Sequence, residues 1–521
     1  MLHLDLPAQS QRPGYDPRPG ALAEWVAALP LADPLRSASL LLERLRELNA
    51  YQLPARHRAE LLRQLQPAYN RLHAPLRAAA GDGGRSRPRE GAGLLALLTE
   101  QMLMGYQYVL QAAQAERGWR RPRHLQAAAH HAAHLLLLYF AGRYAEFLPV
   151  APRRWQQLTA LVEFTEHQRL DAVAAGDFPF ARRLHAGDAL GLLGALHFSD
   201  PYGLPQGQVW DVLGFAAAHV EDLRLLPAPV SPSPLPPGHF VLDRARLEGT
   251  TGPDPAACWR ILVLAGLAAR AREALAHSTP DRLDEIPGFS RDRSAYERRH
   301  LLEHLAARWQ AARSRRHARN AQDGRLRLRR GLLDVWRLHN GDRPFDPLAW
   351  LPPEERDLAW DTRAIAASTN PRELEGRLRN RGAGGMGIQL ASSDPGLRVG
   401  DLVCVTLPGP DGAPQRFTAL VRWIRREGGG LSAGLHYVAR NAQPLAARPG
   451  EAPAGMPYQP VLCHLPNMEG DRLLVLITPR GLYGEGRLLE LCGPDQRRRV
   501  RCARLLEVAN GLERFTARGL G

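Results

Sequence analysis

Two segments of the chain carry residue types that suit the binding of an anion. In the first, Arg315 and Arg319 lie four positions apart, and the planar guanidinium fork of arginine matches the oxygens of a phosphate group. The second begins at Asn380, whose amide side chain is followed by a run of small residues that includes Gly382 and Gly385. Glycine permits positive φ and allows a bulky partner to approach the backbone closely. These two segments are the candidates for a functional site.

Short strands are expected around both segments. Arg325–Arg329 alternates strictly between arginine and leucine, as a strand with one apolar face does. Three apolar stretches with turn residues between them follow the glycine run, at 401–407, 419–424 and 434–438. Gly428–Gly430 lies between two of them and is expected to form a hairpin tip. The pattern therefore predicts an antiparallel β-region after residue 319.

These features together resemble the PilZ domain, a small bacterial β-barrel that typically binds cyclic di-GMP. The family is marked by an RxxxR segment before the first strand and by a [D/N]xSxxG segment on an early strand. Arg315 and Arg319 match the first pattern, and Asn380 and Gly385 match the two ends of the second. The resemblance implies that the arginines contact the phosphates and stack on the guanines, while the second segment hydrogen-bonds a base.

The chain departs from the family pattern at Gly382, where the family has serine. The missing hydroxyl removes one hydrogen bond, a contribution of ~0.5–1.5 kcal/mol. The RxxxR spacing also recurs elsewhere, because all 68 basic residues are arginine and about nine such pairs are expected by chance. Arg325/Arg329 and Arg377/Arg381 have the same spacing, so the assignment of the first pattern depends on its position before a strand.

The sequence predicts a multidomain α+β protein with five segments. Residues 1–20 are rich in proline and glycine and are expected to be disordered. Leucines at intervals of three and four predict an all-α bundle or solenoid over 21–307. A PilZ-like antiparallel β-barrel is predicted over 308–441, followed by a linker rich in alanine, proline and glycine over 442–457. Short apolar runs with turns between them predict a second small β-domain over 458–521.

Two stretches of the helical part add a second resemblance. Trp155–Glu166 and Asp200–Gln206 are similar to a helical region that precedes PilZ in some large bacterial proteins. This resemblance implies an architecture and no activity. One short strand, His239–Asp243, is indicated within the helical part.

Composition and motifs weigh against several classes of function. The net charge of +15 is spread along the chain, and no nucleic-acid-binding motif accompanies it, so nucleic acid is not expected as a partner. The use of arginine without lysine is also typical of a GC-rich genome. The chain has no HExxH, GxSxG or P-loop pattern, and we expect no catalysis and no cofactor. His130 and His134 lie one helical turn apart, but without a nearby carboxylate they are expected to take packing or surface positions and not to bind a metal.

The sequence also indicates a cellular location. The five cysteines include no CxxC pair and are expected to be reduced, buried thiols. The first residues lack the basic and apolar regions of a signal peptide. The most apolar helix, Leu125–Phe140, is too short and too polar to span a bilayer. We therefore expect a soluble cytoplasmic protein.

The leading hypothesis is a bacterial regulatory protein that senses cyclic di-GMP through Arg315, Arg319, Asn380, Gly382 and Gly385. Binding would be relayed through the helical domain to an unidentified protein partner, and the family's usual outputs are motility, surface attachment (biofilm formation) and exopolysaccharide production. The alternative is a degenerate barrel in a protein that acts as an interaction scaffold without nucleotide. A third possibility, nucleic-acid binding driven by net charge, predicts affinity that falls steeply with salt.

Overall fold

The computed structural model divides the chain into two compact units, Met1–Ser314 and Arg315–Gly521. The residues that the structure describes are 4, 6–9, 18–78, 88–115, 123–170, 175–176, 178–179, 183–228, 235–247, 258–277, 286–311, 319–351, 373–392, 396–409, 413–440, 442–451, 456–464, 473–494 and 496–520.

The first unit is mainly helical, as the leucine periodicity predicts. Its described helices are α1 (Pro19–Ala27), α2 (Pro34–Ala50), α3 (Ala55–Ala78), α4 (Pro88–Ala115), α5 (Arg123–Ala145), α6 (Pro152–His167), α7 (Ala186–Phe198), α8 (Gln208–Ala218), α9 (Ala265–His277) and α10 (Ala295–Arg308). Local signals set several of their starts. The Asp33 carboxylate accepts a hydrogen bond from the backbone N–H of Arg36, at 3.1 Å, and caps α2.

Helix α3 runs without a break through Pro67 and Pro75. A proline in the interior of a helix removes one backbone hydrogen bond and costs about 3 kcal/mol, so the sequence predicts two helices here. Packing offsets this cost, because the apolar face of α3, from Leu61 to Leu76, is buried in the core of the first unit. The structure therefore has one helix where the prolines predict a pair, 55–66 and 68–79.

Two histidines of α5 belong to the core, as expected. His130 is buried, and its Nδ1 accepts a hydrogen bond from the backbone N–H of Ala186, at 3.0 Å. His134 is buried and stacks on Phe178, with 3.5 Å between ring centroids. No group of three or more His, Cys, Asp or Glu side chains among the described residues could hold a metal ion.

The first unit also contains strands, which differs from the all-α prediction. They are β1 (Ala175–Gly176), β2 (Arg183–Leu184), β3 (Arg224–Pro227), β4 (His239–Asp243) and β5 (Cys258–Val263). β5 pairs with both β3 and β4 in a three-stranded antiparallel sheet. The sequence indicates only β4, because the run of β5 is too short and too apolar for its period to separate strand from helix.

The second unit begins with a closed six-stranded antiparallel barrel, called the first barrel below. Its elements are β6 (Asn320–Arg330), α11 (Leu332–His339), β7 (Leu374–Gly382), β8 (Gly385–Leu390), β9 (Leu402–Pro408), β10 (Pro414–Glu427) and β11 (Gly430–Ala439). Around the barrel the order is β6-β7-β8-β11-β10-β9. The predicted alternation of β6 is confirmed, because Leu326 and Leu328 are buried while Arg325 and Arg327 are exposed. The predicted hairpin tip is also present, with positive φ at Gly428.

A second closed barrel follows, called the second barrel below. Its strands are β12 (Gln443–Pro449), β13 (Gln459–His464), β14 (Leu473–Pro479), β15 (Leu488–Gly493), β16 (Gln496–Ala509) and β17 (Leu512–Gly519), in the order β12-β13-β14-β17-β16-β15. The linker prediction for 442–457 is wrong in its first half, because β12 is a strand of this barrel. Leu445, Ala446 and Ala447 are fully buried, and alanine, which has little strand propensity, is used here for close packing.

The two barrels have the same connectivity. In each, the first three strands are neighbours in chain order, the sixth strand pairs with the third, and the fourth closes the barrel against the first. The fifth strand is the longest in both, at 14 residues for β10 and 14 for β16. Each of these long strands also has two register shifts against its hairpin partner.

The two barrels pack against each other through a shared core. Trp336 of α11 is fully buried, and its indole N–H donates to the carbonyl oxygen of Leu445 on β12, at 2.8 Å. A polar cluster also joins the barrels. Glu507 of β16 pairs with Arg422 of β10, at 3.0 Å in one of two hydrogen bonds, and with Arg514 of its own barrel, at 3.3 Å.

Other expectations concern the termini and cysteines. Most of residues 1–20, which were expected to be disordered, lie outside the described residues. The described part is ordered: the hydroxyl of Tyr108 donates to the carbonyl oxygen of Pro7 at 2.8 Å, and α1 begins at Pro19. All five cysteines are free thiols, and all except Cys258 are buried. Among the described helices, none has the length and apolar character needed to cross a membrane.

Candidate anion-binding site

The structure brings the two candidate segments together on the first barrel. Arg319 directly precedes β6, and its Nη1 donates to Oδ1 of Asn380 on β7, at 3.4 Å. The two residues are 61 positions apart in the sequence. They come together because the start of β6 lies beside the end of β7, where Asn320 pairs with Arg381. Arg315, the other arginine of the predicted pair, lies outside the described residues.

Asn380 lies on a glycine-lined patch of the barrel surface. A register shift follows Leu378, and Asn380 then pairs with Gly387 on β8. A Cβ at Gly387 would lie 2.8 Å from both terminal atoms of the Asn380 amide, so glycine leaves the space that this side chain occupies. Gly434 pairs with Gly387 on the other side, and a Cβ there would overlap the indole of Trp423. An amide and an indole thus lie flat across adjacent strands.

The two predicted glycines close the β7–β8 hairpin. Gly382 pairs with Gly385, and neither residue has positive φ. The prediction that glycine is needed here for positive φ is therefore wrong for these two residues. The requirement at Gly385 is steric, because a Cβ would overlap the carbonyl oxygen of Leu435. The carbonyl oxygen of Gly384 accepts a hydrogen bond from the backbone N–H of Tyr437, at 3.1 Å, which holds the turn against β11.

An aromatic and cationic cluster lies next to this hairpin. The guanidinium carbon of Arg381 lies 4.4 Å from the ring centroid of Phe417, and that ring lies 5.4 Å from the ring of Tyr437. Burial raises the pKa of Tyr437, while the positive charges of Arg381, Arg440 and Arg319 act in the opposite direction. The phenol therefore stays neutral near pH 7, and it does not reduce the positive charge of the cluster.

The charge of this cluster is not balanced locally. Neither Arg381 nor Arg440 forms an ion pair with any residue in the described part of the chain. His436, on the neighbouring strand position, adds no charge at neutral pH, because burial lowers its pKa and the Arg422 charge lowers it further. The site can therefore accept an anion with several oxygens, and it offers flat side chains for a planar group.

Sequence reasoning missed five contributors: Arg381, Gly387, Phe417, Tyr437 and Arg440. Two had a usable signal, because Arg381 directly follows Asn380 and Gly387 continues the glycine run. The others come from β10, β11 and the residue just after β11, and only closure of the barrel brings them to the β7–β8 hairpin.

A closed antiparallel barrel with arginine and aromatic side chains at one end is a binding module. Comparison with protein-family models identifies the module: residues 361–445 match the PilZ domain. Residues 20–229 match the family described as "Cyclic-di-GMP receptor FimW, N-terminal domain". The chain therefore carries a FimW-type N-terminal domain and, after it, a PilZ domain.

The chain was also compared with solved structures and with curated proteins. The solved structure of the Bacillus subtilis inhibitor of motility (MotI/DgrA) is similar at 10% sequence identity with a TM-score of 0.12, over 38% of this chain and 88% of that one. The comparison with curated proteins gave no match.

Proposed function

We propose that this protein is a receptor for cyclic di-GMP that binds the dinucleotide at the first barrel. The observation that carries the proposal is the contact between Arg319 and Asn380, which joins the two PilZ-type segments at one place. The family match over 20–229 supports it, because the description of that family names a cyclic di-GMP receptor.

Each part of the site has a task in this proposal. Arg315 and Arg319 clamp the two phosphates through bidentate contacts and cover the guanine faces. The amide of Asn380 hydrogen-bonds the edge of one base, and the glycines at 382 and 385 let that base approach the strand. Arg381, held against Phe417, contributes positive charge beside the phosphates.

The segment between the two units offers a means of relay. Arg315 is the first residue of the second unit, so a ligand that binds it also contacts the segment that joins the two units. A ligand shifts a conformational equilibrium only by its differential affinity for the two states. We propose that the ligand-bound state is recognised by a protein partner of the helical domain, with motility, attachment or exopolysaccharide production as output.

One observation favours a second candidate function. Gly382 lacks the hydroxyl that the family uses to bind a base, and a barrel without ligand could still serve as a scaffold for a partner protein. The scaffold proposal predicts the same partner with or without nucleotide.

Calorimetric titration of the full chain with cyclic di-GMP at physiological salt tests the proposal. We expect saturable binding in the wild-type chain. The Arg315→Ala/Arg319→Ala variant should bind at least about tenfold more weakly, because each substitution removes charge-assisted hydrogen bonds to a phosphate. The matched control is Arg499→Ala/Arg501→Ala, which removes the same charge from exposed positions of β16. Absence of heat together with an unchanged melting temperature would refute the receptor proposal and leave the scaffold.

A further inference from the structure

A groove of about 870 Å³ crosses the outer face of the first barrel, and neither Arg319 nor Asn380 lines it. One end is bounded by Pro408 and Pro414, where β9 meets β10, and the other by the glycines at 428 and 430. Between these ends the groove passes over β6, β7 and β8. Adjacent strands are about 4.8 Å apart, so the groove is roughly 14 Å long.

Four arginines line this groove: Arg325 and Arg327 from β6, and Arg377 and Arg379 from β7. Arg325 lies directly opposite Arg377 in the strand register. Like charges at opposed positions of an antiparallel pair destabilise the sheet. All four side chains are exposed, and neither Arg325 nor Arg377 has an ion pair or hydrogen bond with any described residue.

The neighbouring side chains hold part of this array in place. Gln389 lies opposite Arg377 on β8, and its Oε1 accepts a hydrogen bond from Nε of Arg379, at 2.7 Å. Arg327 is partly balanced by Glu373, at 3.5 Å. The positive charges of Arg325 and Arg377 are therefore the ones in the groove that no carboxylate balances, and the guanidinium of Arg379 is held beside them by Gln389.

The lining also indicates which kind of anion fits. The described lining residues include no aromatic side chain on which a base could stack. Glu375 also lines the groove, and its carboxylate can accept a hydrogen bond from a peptide N–H, a donor that a chain of phosphates lacks. Ala391, Pro408 and Pro414 are exposed and supply apolar surface for aliphatic side chains. An extended peptide would cover the length with about four residues.

We propose that this groove is a docking site for an acidic, extended peptide segment of a partner protein. The carboxylates of the segment pair with Arg325 and Arg377, and its aliphatic side chains contact Ala391 and the two prolines. The groove shares no lining residue with the proposed cyclic di-GMP site, and binding of the peptide does not require nucleotide.

The test uses the full chain and a fluorescein-labelled short peptide of alternating glutamate and alanine, followed by fluorescence anisotropy at physiological salt. We expect saturable binding that Arg325→Gln/Arg377→Gln weakens about tenfold, because two charge-assisted contacts are lost at an exposed site. Arg499→Gln/Arg501→Gln, which removes equal charge from exposed strand positions, should leave the affinity unchanged. Melting temperatures of both variants establish that the barrels remain folded.

Three results would overturn the proposal. The first is an equal loss of affinity in the two variants, which would assign binding to net charge. The second is equally tight competition by an oligothymidylate of the same charge, which would assign it to unspecific attraction of polyanions. The third is the absence of binding by the folded wild-type chain. Because cyclic di-GMP is not in the assay, each result is independent of the proposed receptor function.

Discussion

Replacement of Gly387 by alanine should separate ligand binding from folding in the first barrel. A methyl group at this position would lie 2.8 Å from both terminal atoms of the Asn380 amide. That amide is the end of a flexible side chain on the barrel surface, so it can rotate away at little cost to the fold. The rotation removes its contact with Arg319 and its hydrogen bond to a bound base.

The expected magnitude follows from the interaction that is lost. One hydrogen bond contributes ~0.5–1.5 kcal/mol, so the affinity for cyclic di-GMP should fall by roughly twofold to tenfold. The free energy of unfolding should change by less than about 1 kcal/mol, because no backbone atom has to move. Calorimetric titration measures the first quantity, and chemical denaturation followed by circular dichroism measures the second.

Two other glycines provide the controls. Gly385→Ala places a methyl group on the carbonyl oxygen of Leu435, a backbone atom, and should destabilise the barrel itself. Gly324→Ala meets no atom within 4 Å and should change neither quantity. The reasoning is refuted if Gly387→Ala binds cyclic di-GMP as tightly as wild type, or if it unfolds as readily as Gly385→Ala.

Three further predictions concern stability. Trp336→Ala should lower the free energy of unfolding of the two barrels by about 3–5 kcal/mol, the usual cost of removing a fully buried tryptophan, and urea denaturation would show a smaller effect if the barrels did not share a core. Glu507→Gln leaves its two arginine partners without a carboxylate and should cost about 1–3 kcal/mol in the same assay, with little change expected only if the cluster is fully solvated. In the helical unit, burial lowers the pKa of His131 and His197 to about 4, from 6.5. As the pH falls from 6.5 towards 4, these histidines are protonated in the unfolded chain but not in the folded one, so the free energy of unfolding falls by up to about 3 kcal/mol per histidine. Equal denaturation midpoints at pH 7.5 and pH 5 would contradict this.

Much of the site could be predicted because its residues lie in local patterns. The alternation of arginine and leucine predicts β6, and the cluster of glycines predicts the β7–β8 hairpin. The two candidate segments are in contact through Arg319 and Asn380. Tyr437 and Arg440 could not be predicted, because their position at the candidate site depends on which strands are neighbours in the barrel. The periodicity of a sequence does not show strand order. The placement of Phe417 against Arg381 has the same cause.

The errors in the fold have a common physical origin. Pro67 in α3 and the alanines of β12 are locally unfavourable for the structures in which they occur. In both cases burial of a whole apolar face outweighs a local cost of a few kcal/mol. Such positions are mispredicted whenever propensity is read without knowledge of what packs against the segment.

The shared connectivity of the two barrels means that one strand order closes around two different sets of side chains. β8 of the first barrel keeps the glycines that clear its outer surface, whereas the corresponding β14 contains none and is lined by leucine, valine, isoleucine and threonine. The same framework thus has an open outer surface in one barrel, and in the other it provides the support that packs against the first through their common core.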